Sequence, residues 1–292
     1  METSTGFELR AMLVQELATA RAECDAADGT NRSLAVHRAR RALKRARSLF
    51  RVMKAAAGHT HRPWLRPVKE AFKLLSVARD ADAMLTTAER LLRRSTGASA
   101  EVLAPTVAAL ADRARRTHAA ELPIERIAEL LQAAEADAAT MPADFDAQAL
   151  IAEELASAYK RGRTAFRAIE TEADPDAWHA WRKAVKHRLH LTQLGTPAAK
   201  PHDVVADLDA LAELLGECND LANLAEVVQR DPALTGDGKT ARRVLAVFAK
   251  RQRRLRQRAR ALGEALFRQR PRHFAHGLAA AGDPGGPDHA AA

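Results

Sequence analysis

The sequence predicts an all-α protein built from two similar halves. Of its 292 residues, 47 % are hydrophobic and only 4 % are aromatic, and the abundance of Ala and Leu favours helices over strands. Apolar residues recur three and four positions apart along nearly the whole chain, and no stretch alternates as a strand does. A histidine-containing basic motif also occurs twice, which predicts two helical halves of roughly 140 residues.

Helix boundaries follow from Gly, Pro and capping residues. The stretch 29–33 separates the first two helices, and Pro63 and Pro67 mark the start of the third. Asp80 is predicted to cap a separate helix that ends near residue 96. The predicted helices cover about 7–27, 32–57, 63–77, 80–96, 100–118, 123–139, 146–172, 176–194, 202–216, 219–230 and 238–269, with a short one after Pro271.

The repeat is visible in three collinear matches. VHRARRALKRARSLF (36–50) aligns with WHAWRKAVKHRLHLT (178–192) at an offset of 142 residues, and LLSVARDADAML (74–85) aligns with LLGECNDLANLA (214–225) at an offset of 140. Upstream, Leu13, Leu17 and Arg21 align with Leu155, Tyr159 and Arg163.

These matches define the expected domain organisation. One domain over residues 1–282 would contain a first half at about 7–140 and a second at about 145–280, related by a pseudo-two-fold axis. The tail, 283–292, lacks apolar anchors and is predicted to be disordered.

Each copy of the motif places a basic stripe beside an apolar one. One residue turns about 100° on an α-helix, so a stripe shifted by one position lies at the edge of the buried face. In the helix at 32–57, the apolar stripe is Val36, Ala39, Leu43, Ala46, Phe50 and Met53, and the basic stripe is His37, Arg40, Lys44, Arg47, Arg51 and Lys54. In the second copy, Trp178, Trp181 and Val185 are expected in the core, beside His179, Arg182 and Lys186.

A stripe of one charge sign has two interpretations. Like charges four residues apart repel by a few tenths of a kcal/mol, and repetition of that cost in both halves favours an anionic ligand. The alternative is a solvated face, or neutralisation by acids such as Asp80, Asp207 and Asp220. Asp80 and Asp220 are predicted to be helix caps or partners of the basic residues.

Charge and composition narrow the class of protein. The net charge is +9 and the sequence pI is about 10.0, which points to an anionic partner. No apolar leader and no run of 18 apolar residues is found, which predicts a soluble cytoplasmic protein without a membrane partner. Cys24 and Cys218 have no spacing that suggests a disulfide framework.

The repeated motif resembles the CHAD family, the conserved-histidine α-helical domain, over about residues 7–280. The family pattern is matched by His37, Arg40, Lys44, Arg45 and Arg47, followed by Arg79-Asp80, and again by His179, Arg182, Lys183 and Lys186, followed by Asn219-Asp220. The second copy departs from the pattern at His187, where a second base is usual, at Leu189, where Arg is usual, and at His190, where an aromatic is usual.

This resemblance implies two four-helix-bundle halves that face each other across a basic groove or pore. It also implies binding of inorganic polyphosphate and association with polyphosphate granules. Some members of the family are fused to a CYTH triphosphatase domain, which is a β-barrel; because no strands are predicted here, we expect a stand-alone member without that domain. The expected polyphosphate ligands are His37, Arg40, Arg41, Lys44, Arg45, Arg47, Arg51, Lys73, Arg79, Lys160, Arg163, His179, Arg182, Lys183, Lys186, His187, Lys250 and Arg254.

Other functions find less support in the sequence. A nucleic-acid backbone would also suit the basic stripes, but few aromatics and no known binding signature accompany them. The histidines lack the carboxylate partners and spacing of a metal site. No Ser-His-Asp set, paired carboxylates or Gly-rich phosphate loop is found. A phosphohistidine relay at His37 and His179 is the remaining enzymatic alternative, and we expect no catalysis, cofactor or metal.

Overall fold

The computed structural model describes residues 6–27, 31–57, 65–118, 122–171, 175–194 and 202–282. These residues form helices without any β-strand, so the all-α prediction is confirmed. None of the described helices is long and apolar enough to cross a membrane. The predicted disorder of 283–292 lies outside the described residues.

The helices are α1 (Gly6–Asp25), α2 (Arg32–Ala57), α3 (Leu65–Arg93), α4 (Ala98–His118), α5 (Ile124–Ala139), α6 (Ala147–Thr171), α7 (Pro175–Leu194), α8 (His202–Arg230), α9 (Gly238–Leu266) and α10 (Pro271–Gly282), with a 3₁₀ turn at Pro232–Leu234.

Two predicted helix breaks are wrong. α3 continues through Asp80, and α8 continues through Gly216 and Asn219. The intrinsic penalty for Asp or Asn in a helix is below about 1 kcal/mol. In α8, the opposite face keeps Leu215 and Leu221 buried on either side of the predicted break, and their burial outweighs this penalty.

The apolar residues form two cores. The first joins α1, α2, α5 and the first parts of α3 and α6, and the second joins α4, α7, α8, α9 and the later parts of α3 and α6. Trp178 and Trp181 are 6 % and 0 % exposed in the second core, which confirms their predicted burial. Cys24 and Cys218 are buried in different cores and form no disulfide.

The order of packing repeats along the chain. Neighbours in the series α1 to α4 pack in succession, and so do neighbours in the series α6 to α9, while α5 packs on α1 and α10 on α6. α3 and α6 nevertheless extend through both cores. The division near residue 140 and the two-fold relation between halves stay predictions.

Candidate anion-binding cavity

α2 and α7, the two basic helices, pack against each other and leave a cavity between themselves and α3 and α8. Its volume is about 480 Å³, and it is here termed the central cavity. Its α2–α7 side is basic. The expected ligands that line it are Arg40, Lys44, Arg47, Arg51, His179, Arg182, Lys183, Lys186 and His187.

A larger cavity of about 940 Å³, here termed the adjoining cavity, lies next to the first. Its lining adds the expected ligands His37, Arg41 and Arg45. The two cavities meet, because five residues line both of them: Lys44, Arg182, Lys186, His190 and Asp220. Basic residues from both copies of the sequence motif therefore line two neighbouring cavities.

Arg40 shows how the stripe beside the core produces a preorganised cation. The residue is only 7 % exposed. Its guanidinium lies over the Phe72 ring, 4.2 Å from the centroid, and Nη1 donates to the Phe72 carbonyl and to Ser76 Oγ. These contacts hold the charge against the cavity wall and reduce the conformational entropy that an anion would have to remove.

His179 is oriented by the neighbouring helix. Its Nδ1 lies 2.7 Å from Asn219 Oδ1. An amide oxygen can only accept, so Nδ1 carries the proton and donates it in this bond. Asn219 on α8 thereby fixes the ring of a histidine that lines the central cavity, and Nε2 is the ring atom left for other interactions.

Acidic residues occupy the α3–α8 side of the central cavity. Asp80, Asp220 and Glu226 all line it. Of the two roles predicted for Asp80 and Asp220, the role of helix cap is wrong, because both lie inside continuous helices. The apolar period of α3 and α8 continues beyond them, so neither helix ends there. The cavity consequently has a basic wall and an acidic wall.

Some of the expected ligands are paired with acids. Arg45 on α2 forms a two-pronged ion pair with Glu16 on α1, with N–O distances of 2.5 and 2.7 Å. His187 Nε2 lies 2.7 Å from Glu154 Oε1 on α6. Burial lowers the pKa of His187, although the hydrogen bond to Glu154 opposes the shift. These two residues therefore contribute less net positive charge than the sequence suggests.

Arg51 lies on the same wall of the central cavity as Lys44 and Arg47. Desolvation by the surrounding protein, and then repulsion by Arg47 and Arg161, lowers the pKa of Arg51. An anion placed here would relieve this repulsion. The arrangement can therefore bind a multiply charged anion.

Other expected ligands lie elsewhere. Lys73, Lys160, Lys250 and Arg254 are exposed and are not part of either cavity lining. Arg163 lines a separate depression beside α10. The side chain of Arg79 lies outside what the structure describes.

Four arginines that line the adjoining cavity were not among the ligands expected from the sequence, although two of them belong to the basic run 250–260. Arg90, Arg94, Arg251 and Arg258 line the adjoining cavity. Arg251 Nε lies 2.7 Å from Glu217 Oε1, so part of this charge is compensated. Arg90 and Arg94 are four residues apart, and Arg251 and Arg258 are seven apart. Both spacings place the two arginines on one face of a helix, and this pattern is the sequence signal that could have identified them.

Arg188 was missed for a different reason. It is 4 % exposed and donates to the Leu266 carbonyl at 2.8 Å. Its guanidinium lies among the rings of Tyr159, Phe267 and Phe274. In the basic motif it looks like one more surface cation, but it is a structural residue that holds the end of α9 and α10 onto α7.

The fold and the site define an all-α protein in which two basic helices of a repeated motif share one polar cavity. A family model described as the CHAD domain matches residues 11–229, and the chain belongs to this family. The crystal structure of the CHAD domain from the plant Ricinus communis is similar, with a TM-score of 0.68 and 18 % sequence identity, over 94 % of this chain and 92 % of that one. At this identity the likeness concerns the fold. Comparison with curated proteins found no match.

Proposed function

We propose that this protein binds inorganic polyphosphate along the central and adjoining cavities, without chemical conversion of the ligand. The observation that carries the proposal is that Lys44, Arg182 and Lys186, from both basic helices, line both cavities. A flexible polyanion that follows this surface would contact each motif in turn.

The chemistry of the lining suits a chain of phosphates. Each hydrogen bond between a charged donor and a phosphate oxygen contributes about 1.5–3 kcal/mol. Arginine adds a planar, two-pronged donor that matches phosphate geometry. Polyphosphate has no bases, so it needs no stacking platform, and the described lining offers the ligand one aromatic ring, Phe72, which Arg40 already covers.

The acidic wall favours one path for the ligand. Asp80, Asp220 and Glu226 repel a polyanion from the α3–α8 side, so the ligand would lie against α2 and α7. We further propose that binding occurs in the cytoplasm, at polyphosphate granules, in keeping with the family resemblance.

The test is a calorimetric titration with long-chain polyphosphate at physiological ionic strength. The Lys44→Ala/Lys186→Ala variant should lose at least about tenfold in affinity. The control is Arg242→Ala/Arg243→Ala, which removes the same charge from exposed positions in the second turn of α9. Equal losses in the two variants would mean that affinity reflects only net charge.

A competition arm separates polyphosphate from nucleic acid. Single-stranded and duplex DNA are added to the polyphosphate complex at one fixed salt concentration, since affinities for polyanions are comparable only at equal salt. Displacement by DNA at matched phosphate concentration would overturn the assignment to polyphosphate.

A further inference from the structure

A second group of arginines lies outside both cavities, where α6 meets the start of α10. Arg163, Arg167, Arg270 and Arg272 line one open depression together with Pro271; these four arginines are here termed the outer arginine cluster. Arg163 Nε donates to the Phe267 carbonyl at 3.1 Å, and the other three side chains are exposed. Among the described residues, no carboxylate pairs with any of the four.

The outer arginine cluster is separate from the cavities. On α6, Arg161 pairs with Glu154, which in turn contacts His187 at the central cavity. Arg163 follows two residues later, about 200° around the helix. The cluster therefore faces a different direction from the α6 residues that approach the cavity, and none of its members lines either cavity.

The free protein carries an electrostatic cost at this cluster. Arg163 and Arg167 are four residues apart on one helix, where like charges repel. Arg272 lies in the first turn of α10, and this turn contains no acidic residue. The positive end of the helix dipole disfavours a cation at that position. A bound anion would offset both effects.

The repeat provides an internal comparison. Arg163 aligns with Arg21, and α10 packs on α6 as α5 packs on α1. In the first half, Arg21 forms a two-pronged ion pair with Glu135 of α5, at 2.8 and 3.3 Å. In the second half, Arg163 occupies the position that corresponds to Arg21, and it lies beside Arg270 and Arg272 instead of an acidic residue. The same arginine is thus neutralised within the protein in one half only.

We infer that the outer arginine cluster is a second anion site, which binds a ligand with at least two adjacent phosphate groups. Four guanidinium groups offer more donors than one phosphate can accept, and guanidinium pairs with phosphate in a two-pronged manner. Such a ligand is either a small free anion of the pyrophosphate type or a segment of a longer polyphosphate chain. This inference holds whether or not the cavities bind polyphosphate.

The experiment is a calorimetric titration of the full chain with inorganic pyrophosphate, in a Lys44→Ala/Lys186→Ala background that weakens the cavities. Adding Arg167→Ala/Arg272→Ala should reduce the affinity at least about tenfold. Adding Arg242→Ala/Arg243→Ala, which removes equal charge elsewhere, should leave it within about twofold. An unchanged affinity in the first variant, or an equal loss in the second, would overturn the site.

Thermal unfolding provides a second measurement that also controls for folding. Pyrophosphate should raise the midpoint of the background protein, since a ligand that binds only the native state stabilises it. It should not raise that of the Arg167→Ala/Arg272→Ala protein, whose ligand-free midpoint should be equal or higher because repulsion is relieved. A lower ligand-free midpoint would show that these arginines are structural, and would overturn the inference.

Long-chain polyphosphate identifies the source of the ligand. With the cavities intact, a loss of polyphosphate affinity in Arg167→Ala/Arg272→Ala assigns the site to a segment of the long chain. An unchanged affinity, together with the pyrophosphate result above, assigns it to a small free anion. Failure of the proposed cavity function would be seen separately, as unchanged polyphosphate affinity in Lys44→Ala/Lys186→Ala.

Discussion

Ser48 of α2 and His190 of α7 meet where the two basic helices cross, with 3.0 Å between Ser48 Oγ and His190 Nδ1. They are separated by 142 residues, the offset of the sequence repeat, so equivalent positions of the two motifs are in contact. Lys44 and Lys186 lie one helical turn before them and line both cavities. This crossing therefore brings the two copies of the basic stripe onto one surface.

The partly buried position of His190 predicts a pH-dependent stability. Burial, followed by repulsion from His187, Lys186, Arg45 and Lys44, lowers the pKa of His190 to about 4. In the unfolded chain its pKa is about 6.5, so between these values the unfolded state binds more protons. Stability should consequently fall as the pH falls from about 6.5 towards about 4.

The variant His190→Phe isolates this effect. Lowering the pH from about 7 to about 5 should cost the wild type about 2 kcal/mol through His190, and this part should disappear in the variant. The loss of the Ser48 hydrogen bond shifts the stability of the variant equally at both pH values. Urea unfolding at the two pH values measures the difference, and identical pH dependence in both proteins would contradict the prediction.

Arg188 is predicted to be essential for stability, although it lies within the basic motif. Burial lowers its pKa to about 10, so it stays charged at neutral pH. Arg188→Ala removes the hydrogen bond to Leu266 and the contacts with Tyr159, Phe267 and Phe274. The free energy of unfolding should fall by about 3 kcal/mol.

The matched control is Arg268→Ala, two residues beyond Leu266 and exposed. It removes the same charge close to the same chain segment and should change the free energy of unfolding by less than about 0.5 kcal/mol. Equal stability of the two variants in chemical denaturation would show that Arg188 has no special structural role.

Two helical glycines should respond to alanine in opposite directions. A Cβ on Gly263 would lie 2.6 Å from Phe166 and 2.7 Å from Trp181, whereas a Cβ on Gly216 would meet nothing within 4 Å. Gly263→Ala should therefore destabilise the protein by about 1–3 kcal/mol through overpacking. Gly216→Ala should stabilise it by about 0.5–1 kcal/mol, since alanine favours the helix. A common sign in thermal or urea unfolding would contradict this.

Polyphosphate affinity is expected to depend on chain length. A short oligophosphate can contact one basic helix at a time, whereas a long chain contacts α2 and α7 together, and the second contact is then intramolecular. The 26 residues of α2 extend about 39 Å at about 1.5 Å per residue. Affinity per molecule should rise steeply until the ligand spans both helices and slowly thereafter.

The measurement is a calorimetric series of polyphosphates of defined length, repeated at two salt concentrations. Affinity should fall sharply with salt for the long chains, because several counterions are released together. Orthophosphate and ATP should compete poorly. If tripolyphosphate bound as tightly as the long chain at equal molar concentration, a compact phosphate pocket would replace the extended surface.

Local pattern was sufficient to predict much of this protein. The one-residue offset between Val36 and His37, repeated at Trp178 and His179, placed a basic stripe beside a buried one in both halves. The structure has those apolar residues in the cores and those histidines at the cavities. Helical periodicity also predicted most helices, because it reflects the rotation of each residue around its own helix axis.

Pairing between distant elements was not predictable in this way. Arg45 and Arg47 look alike in the sequence, but among the residues that the structure describes only Arg45 meets a carboxylate, from Glu16 on another helix. Arg188 is buried because Tyr159 of α6 and Phe267 beyond α9 converge on it.

The sequence by itself determined that the chain is helical, that its basic residues form stripes beside the core, and that the motif occurs twice. Only the tertiary structure decided that Lys44 and Lys186 share a surface, that Asp80 and Asp220 form the opposite wall, and that Arg163 belongs to a separate cluster. The physical reason is that periodicity is a property of one helix. Charge compensation and cavity shape instead depend on which helices pack together, and this is set by the burial of their apolar faces.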